Sequence, residues 1–195
     1  MTSARDPSRL LERPGLPEDL QILLQKYPRV TWADHRNLGA LARFWMGRHE
    51  MFRELSAALA DGAGRYLGGE VDSAGFRRWF APRIAFFLDQ LEGHHQIEDL
   101  HYFPLLSAAE ARLSRGFDLL EADHETIHRA LEELGSAWHL LDDTLRSGAD
   151  GRAATEHMAQ RLGGFLSPLR RHLADEEDLI VPVILDRGEG PLGLA

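Results

Sequence analysis

The 195-residue chain has no cysteine, which removes disulfides, thiolate zinc sites, iron–sulfur clusters and cysteine nucleophiles together. It lacks an excess of positive charge. With 22 Lys+Arg against 31 Asp+Glu the net charge is −9, and no basic patch or aromatic–basic module argues for nucleic acid. No apolar run approaches the ~18–20 residues of a membrane-spanning helix, so no membrane association is expected. The start, MTSARDPSRLLERP, lacks the continuous apolar stretch of a secretory signal, and a cytoplasmic location is the expectation. Convincing alternating strand patterns are absent as well. What remains, at 44% hydrophobic and 27% charged residues, is ordinary for a soluble globular chain large enough for one domain with a real core.

The abundant feature is histidine, with ten copies, and their placement matters more than their number. The stretch His94 to Pro104, HHQIEDLHYFP, returns in degenerate form 78 residues later as His172 to Pro182, HLADEEDLIVP. The overlay pairs His94 with His172, Glu98 with Glu176, Asp99 with Glu177 and Pro104 with Pro182. Phe87 pairs with Phe165, Leu91 with Leu169 and Leu106 with Ile184. Two helices presenting the same His-x-x-x-carboxylate pair from opposite sides of one site are expected.

The rest of the chain reads as helix. Residues 1–30 carry Pro7, Pro14, Pro17 and Pro28 and form an irregular arm, with a short helix from Pro17 to Tyr27. From Thr31 to about Leu67 apolar residues recur at three- and four-residue steps, with His49 on the same stripe. A second stretch follows Asp72 or Ser73 as N-cap and runs to about Glu110, bent at Pro82 and near Pro104. The third, after Gly116, puts Leu120, His124, His128, Leu131 and Leu134 on one side. The fourth, after Gly151, shows Phe165, Leu169, His172 and Glu176. Four long amphipathic helices with short turns predict an all-α, antiparallel up-down-up-down four-helix bundle over 31–185, with a Gly-rich flexible tail at 186–195.

A polar residue on the apolar stripe of a bundle helix points at the core, where an unpartnered imidazole costs a few kcal/mol and a lone carboxylate several more. All four helices carry such intrusions: His49; His94 and Glu98; His124 and His128; His172 and Glu176. Counted from the turns, His49 lies 18 residues before Leu67 and His94 21 after Ser73; His128 lies 19 before Ser147 and His172 21 after Gly151. At ~1.5 Å per residue these heights agree. Five imidazoles and two carboxylates at one level need an ion between them. Nitrogen and oxygen donors without sulfur suit iron, manganese or zinc. Seven donors exceed one tetrahedral zinc, whereas two octahedral ions sharing two carboxylates use them all, so two iron ions are the sharpest reading. His124, His128 and His172 serve one ion and His49 and His94 the other, which leaves a vacancy for dioxygen, another small diatomic or peroxide.

These motifs resemble the hemerythrin family, including its HHE cation-binding domains. The single first-helix ligand resembles His49 in RHEMFREL, and the second-helix His-x-x-x-Glu resembles His94 and Glu98, with Pro104 six residues on. The third-helix Asp-His-x-x-x-His resembles Asp123, His124 and His128, and the fourth His172 and Glu176 with Pro182. The resemblance covers about residues 32–185 and implies a four-helix bundle, an oxo-bridged non-haem di-iron centre and dioxygen as ligand. Asp34-His35 also looks like a first-helix motif of the family, but His35 lies 14 residues, or ~21 Å of helix, from His49, so both cannot serve one site.

A lone histidine on an apolar stripe is more often a satisfied core residue than a ligand; seven donors at one level are not. Asp99 and Glu177 are candidates to accept an imidazole N–H behind the ligands, as is Asp123 beside His124. His95 and His101 fall off the main stripe, and His139 and His157 read as surface residues. A ferritin-like carboxylate-rich site requires Glu-x-x-His on two helices. Glu92–His95, Glu121–His124 and Glu125–His128 have that spacing, but Leu169 stands three before His172. The expected function is binding of dioxygen for sensing, storage or carriage rather than catalysis. The alternatives are an enzyme acting on peroxide or nitric oxide, and an iron-handling or stress-response module with structural metal. Zinc or manganese are the possible substitutes.

Overall fold

The computed structural model describes residues 9–194. Residues 1–8 of the arm and Ala195 of the tail lie outside the described residues. The described chain is helical, with no strand. Its α-helices are α1 (Ile22–Lys26), α2 (Ala40–Leu67), α3 (Ser73–Ile97), α4 (Phe103–Ala109), α5 (Ser114–Arg146) and α6 (Arg152–Arg187). Among the described residues no helix is long and apolar enough to cross a membrane.

The helix ends follow local chemistry. Asp72 Oδ1 accepts the Gly75 N–H at 2.6 Å and starts α3, as an N-cap should. Gly69, at φ +76°, closes α2 by letting Glu70 N–H reach back to the Arg65 carbonyl at 3.0 Å. The first turn of α2 is capped from a distance: Glu189 accepts the Ala42 N–H at 2.8 Å.

The second expected helix is three pieces. Between α3 and α4 the chain makes a π-helical turn at Glu98–Tyr102, in which Phe103 N–H bonds the Glu98 carbonyl. Pro104 explains it. A proline has no N–H to give the carbonyl four residues back, and its ring crowds that carbonyl, so the helix widens just before it.

The chain divides into two compact units. One is the described part of Met1–Glu50, His95–Glu125 and Arg170–Ala195; the other is Met51–His94 with Thr126–Leu169. In the first, the arm packs on the flanks of α6: Leu16, Leu20, Leu23 and Trp32 share a buried cluster with Trp45, Phe103, Phe117, Ile180 and Ile184. Leu192, in the Gly-rich end, belongs to the same cluster. In the second, Phe87 meets Phe52 edge-on at 6.3 Å and Phe165 at 5.9 Å, and Phe80 packs on Phe76 and Trp138. Buried aromatic faces of this size dominate the core energetics.

Candidate metal centre

The first unit buries an unusual quantity of ionisable chemistry. From α2 comes His49, from the end of α3 His95, from the π-helical turn Glu98, from α5 His124 and from α6 His172 and Glu176; all six are at most 1% exposed. Such groups stay buried only when paired or when they hold an ion.

They fall into two sets. His95, His124 and His172 offer donor atoms that all lie within 4.8 Å of one another, and the same holds among His49, Glu98 and Glu176. In the first set His95 stacks on His124 with centroids 4.1 Å apart and 12° between planes, while His172 stands edge-on to both. Glu176 links the sets. The Nε2 atoms of His49, His124 and His172 stand 3.4, 3.5 and 3.4 Å from its oxygens. Yet neither Glu176 oxygen receives a hydrogen bond of ordinary geometry, and His172 Nε2 makes none. Imidazole nitrogens and carboxylate oxygens aimed at shared points, too far apart and misaligned for hydrogen bonds, have the arrangement of metal ligands. The donor set fits divalent or trivalent ions that take nitrogen and oxygen.

The other face of each imidazole is fixed. His124 Nδ1 lies 2.7 Å from Asp99, His49 Nδ1 3.2 Å from Glu177 and His172 Nδ1 3.3 Å from Asp123. A carboxylate behind each ring selects the tautomer that carries its proton on Nδ1 and turns the Nε2 lone pair inward. The Trp45 indole N–H donates to Glu98 Oε1, holding that carboxylate from the side away from His124. Phe103 stacks on His124 and Trp45 lies 4.1 Å from the His49 ring, so apolar surface encloses the donors.

The electrostatics of the metal-free site follow from this crowding. Burial, then the neighbouring Glu176 charge, push Glu98 well above the usual carboxylate range. Burial would raise Glu176 too, but the His172, His124 and His49 rings outweigh it and hold its carboxyl low. Burial alone would lower His124; its hydrogen bond to Asp99 and the Glu176 and Glu98 carboxylates instead raise it to about 10. One proton-hungry carboxylate beside one that stays charged is what strong coupling of two buried acids produces.

The residues expected from sequence are placed unevenly. His49, Glu98, His124, His172 and Glu176 come together in the first unit, with Asp99, Asp123 and Glu177 at their backs. His94 is the last residue of its stretch in the second unit, 6% exposed, with its ring 5.2 Å from that of Phe52. His128 lies outside both donor sets; it is half-buried in the second unit, on a shallow hollow with Leu88, Glu92, Leu131 and Glu132. The third imidazole beside His124 and His172 is His95, which lies off the main apolar stripe. The signal for it was the adjacent pair His94-His95, since consecutive residues point ~100° apart and can serve two sides of a wide site. His35 sits in the arm, its ring edge-on to Tyr27 at 5.4 Å, outside both sets.

A family model described as the hemerythrin HHE cation-binding domain matches residues 40–184. No curated protein and no solved structure matches the chain significantly.

Proposed function

Because the chain belongs to the hemerythrin HHE cation-binding family, we propose that it holds two iron ions inside an antiparallel four-helix bundle and binds a small diatomic, dioxygen first, at one of them. The observation that carries the reading is the pair of buried donor sets converging on Glu176, with no ordinary hydrogen bond to satisfy its oxygens.

In this reading His95, His124 and His172 hold one ion. His49 holds the other together with His94, which precedes Glu98 by one turn of helix, and Glu98 and Glu176 are shared. The unequal count of three imidazoles and two would leave the second position one protein donor poorer than the first, and a diatomic would fit there. When bound, the iron pair supplies reversible exchange of two electrons with such a ligand. The chain's own work is positional. Asp99, Asp123 and Glu177 keep each ring's Nε2 turned inward, Trp45 steadies Glu98, and Phe103 with the Trp45 ring keeps water out. A sealed, aromatic-lined site favours reversible binding for sensing, storage or carriage over turnover.

Iron-loaded protein, reduced without oxygen, tests this directly. Its visible absorption should change when oxygen is admitted and return when oxygen is removed. Irreversible oxidation alone would remove dioxygen binding and leave redox or peroxide chemistry as the reading.

A further inference from the structure

Two arginines of the N-terminal arm reach the site from outside the family-matched range 40–184. Arg13, with its side chain fully buried, grips Asp123 with both terminal nitrogens, Nη1 at 2.8 Å from Oδ1, and gives Nε to Asp175 Oδ2 at 2.7 Å. Arg29 donates Nη1 to Glu177 Oε2 at 2.8 Å, Nε to Asp178 Oδ1 at 2.7 Å and Nη2 to the Ala174 carbonyl at 3.0 Å. Asp123 and Glu177 are the carboxylates behind His172 and His49. Arm arginine, carboxylate and ligand imidazole therefore run in line twice.

We propose that residues 9–39 form an outer clamp on the metal centre, in which Arg13 and Arg29 fix Asp123 and Glu177 so that His172 and His49 keep their Nε2 atoms on the ions. The proposal rests on the metal reading above. The chemistry is specific to arginine. A guanidinium presents two parallel N–H groups to a carboxylate and sets its plane, which a point charge cannot do. Arg29 holds Glu177 by Oε2 and leaves Oε1 for His49, whereas Arg13 holds both oxygens of Asp123, one of which, Oδ2, also faces His172 Nδ1 at 3.3 Å. The third such carboxylate, Asp99 behind His124, is instead a third exposed to water, so the arm's control falls on two of the three rings. Arg13 also spans Asp123 on α5 and Asp175 on α6, which makes the clamp a tie between those two helices.

Both arginines are positioning residues, and the test must separate positioning from packing. Arg29, half-exposed, is the variant of choice: Arg29→Met, Arg29→Lys, and Leu23→Ala, which loosens the arm's buried face without touching either arginine. Full-length proteins are titrated with cobalt(II) alone, whose visible bands report ligand geometry and affinity, and metal-free stability is measured alongside. Loss of a carboxylate's fixed orientation should weaken the affinity of Arg29→Met ~10–100-fold, the usual cost of losing support behind a ligand. Its cobalt bands should shift, with partial recovery in Arg29→Lys. Leu23→Ala should lose stability while keeping the wild-type bands. Arg13→Met paired with Asp175→Asn avoids stranding a second buried carboxylate and should repeat the pattern. Wild-type cobalt binding with unchanged affinity and bands in Arg29→Met overturns the clamp alone. Absence of cobalt binding by the wild type overturns the metal reading and the clamp with it.

Discussion

Glu98→Gln should separate what Glu98 does for the fold from what it does for metal. In the metal-free protein burial and the Glu176 charge keep Glu98 protonated well above its ordinary range, so a neutral amide of the same shape copies its state. The Trp45 N–H to Oε1 survives, because glutamine keeps that oxygen. An unfolded glutamate loses its proton above about pH 4.5; the folded one retains it, so folding takes up a proton and stability falls as pH rises. Metal-free Glu98→Gln should therefore be at least as stable as wild type at pH 7, with the advantage growing from pH 5 upward. Metal reverses the order. A ligand bound only by the folded state adds about 4 kcal/mol at a thousandfold excess over its Kd, or roughly 8–16 °C of Tm for a chain of this size. An amide is a poor bridging ligand, so the variant should lose most of that gain. Thermal unfolding by far-UV circular dichroism, in chelator and in excess ferrous iron without oxygen, measures both halves. A variant several kcal/mol weaker in chelator, yet shifted by iron as much as wild type, would refute the reasoning.

Phe87→Ala removes a fully buried ring wedged edge-on between Phe52 and Phe165; it should cost about 3–5 kcal/mol with or without metal, read by denaturant unfolding. Gly116→Ala would place a Cβ 2.8 Å from Leu179 Cδ1; a loss of about 1–3 kcal/mol is expected. Leu179→Ala, truncating a fully buried side chain, costs about 2–5 kcal/mol by itself, and the double variant should lose clearly less than the sum of the two, whereas additive losses would contradict the contact. Glu110 is held down to about 2, first by its hydrogen bond to Arg112 and further by Arg187. Its contribution is present above about pH 4.5 and lost as pH falls toward 2, so Glu110→Gln should flatten the acid limb of stability against pH.

The helical architecture was legible because the apolar steps of three and four residues persist over whole helices. Asp72 and the glycine-rich turns set boundaries that the structure keeps near Ser73 and Leu67. The apolar steps predict a first helix from Thr31, but α2 begins at Ala40. Its cap is the carboxylate of Glu189, 147 residues from Ala42, a partner no local pattern announces. The five donors His49, Glu98, His124, His172 and Glu176 were readable as polar intrusions on an apolar stripe. His95 was not, since a single stripe assumes one inward direction per helix, while this helix buries two adjacent imidazoles just before a π-helical turn. His128 follows His124 by four residues, which carries it ~6 Å along α5 and ~40° round it. That offset leaves it on the hollow of the second unit. The arm's buried Arg13 was illegible for a different reason: an isolated arginine gives no periodic signal, and its two aspartates lie 110 and 162 residues away.

The metal content of wild type, His95→Ala and His128→Ala, each reconstituted with ferrous iron without oxygen and freed of loose ions, tests the central claim most directly. Two ions per wild-type chain, a deficit in His95→Ala and two ions in His128→Ala are the expected result. A single ion in the wild type, or a deficit that follows His128 while His95→Ala keeps both, would contradict it.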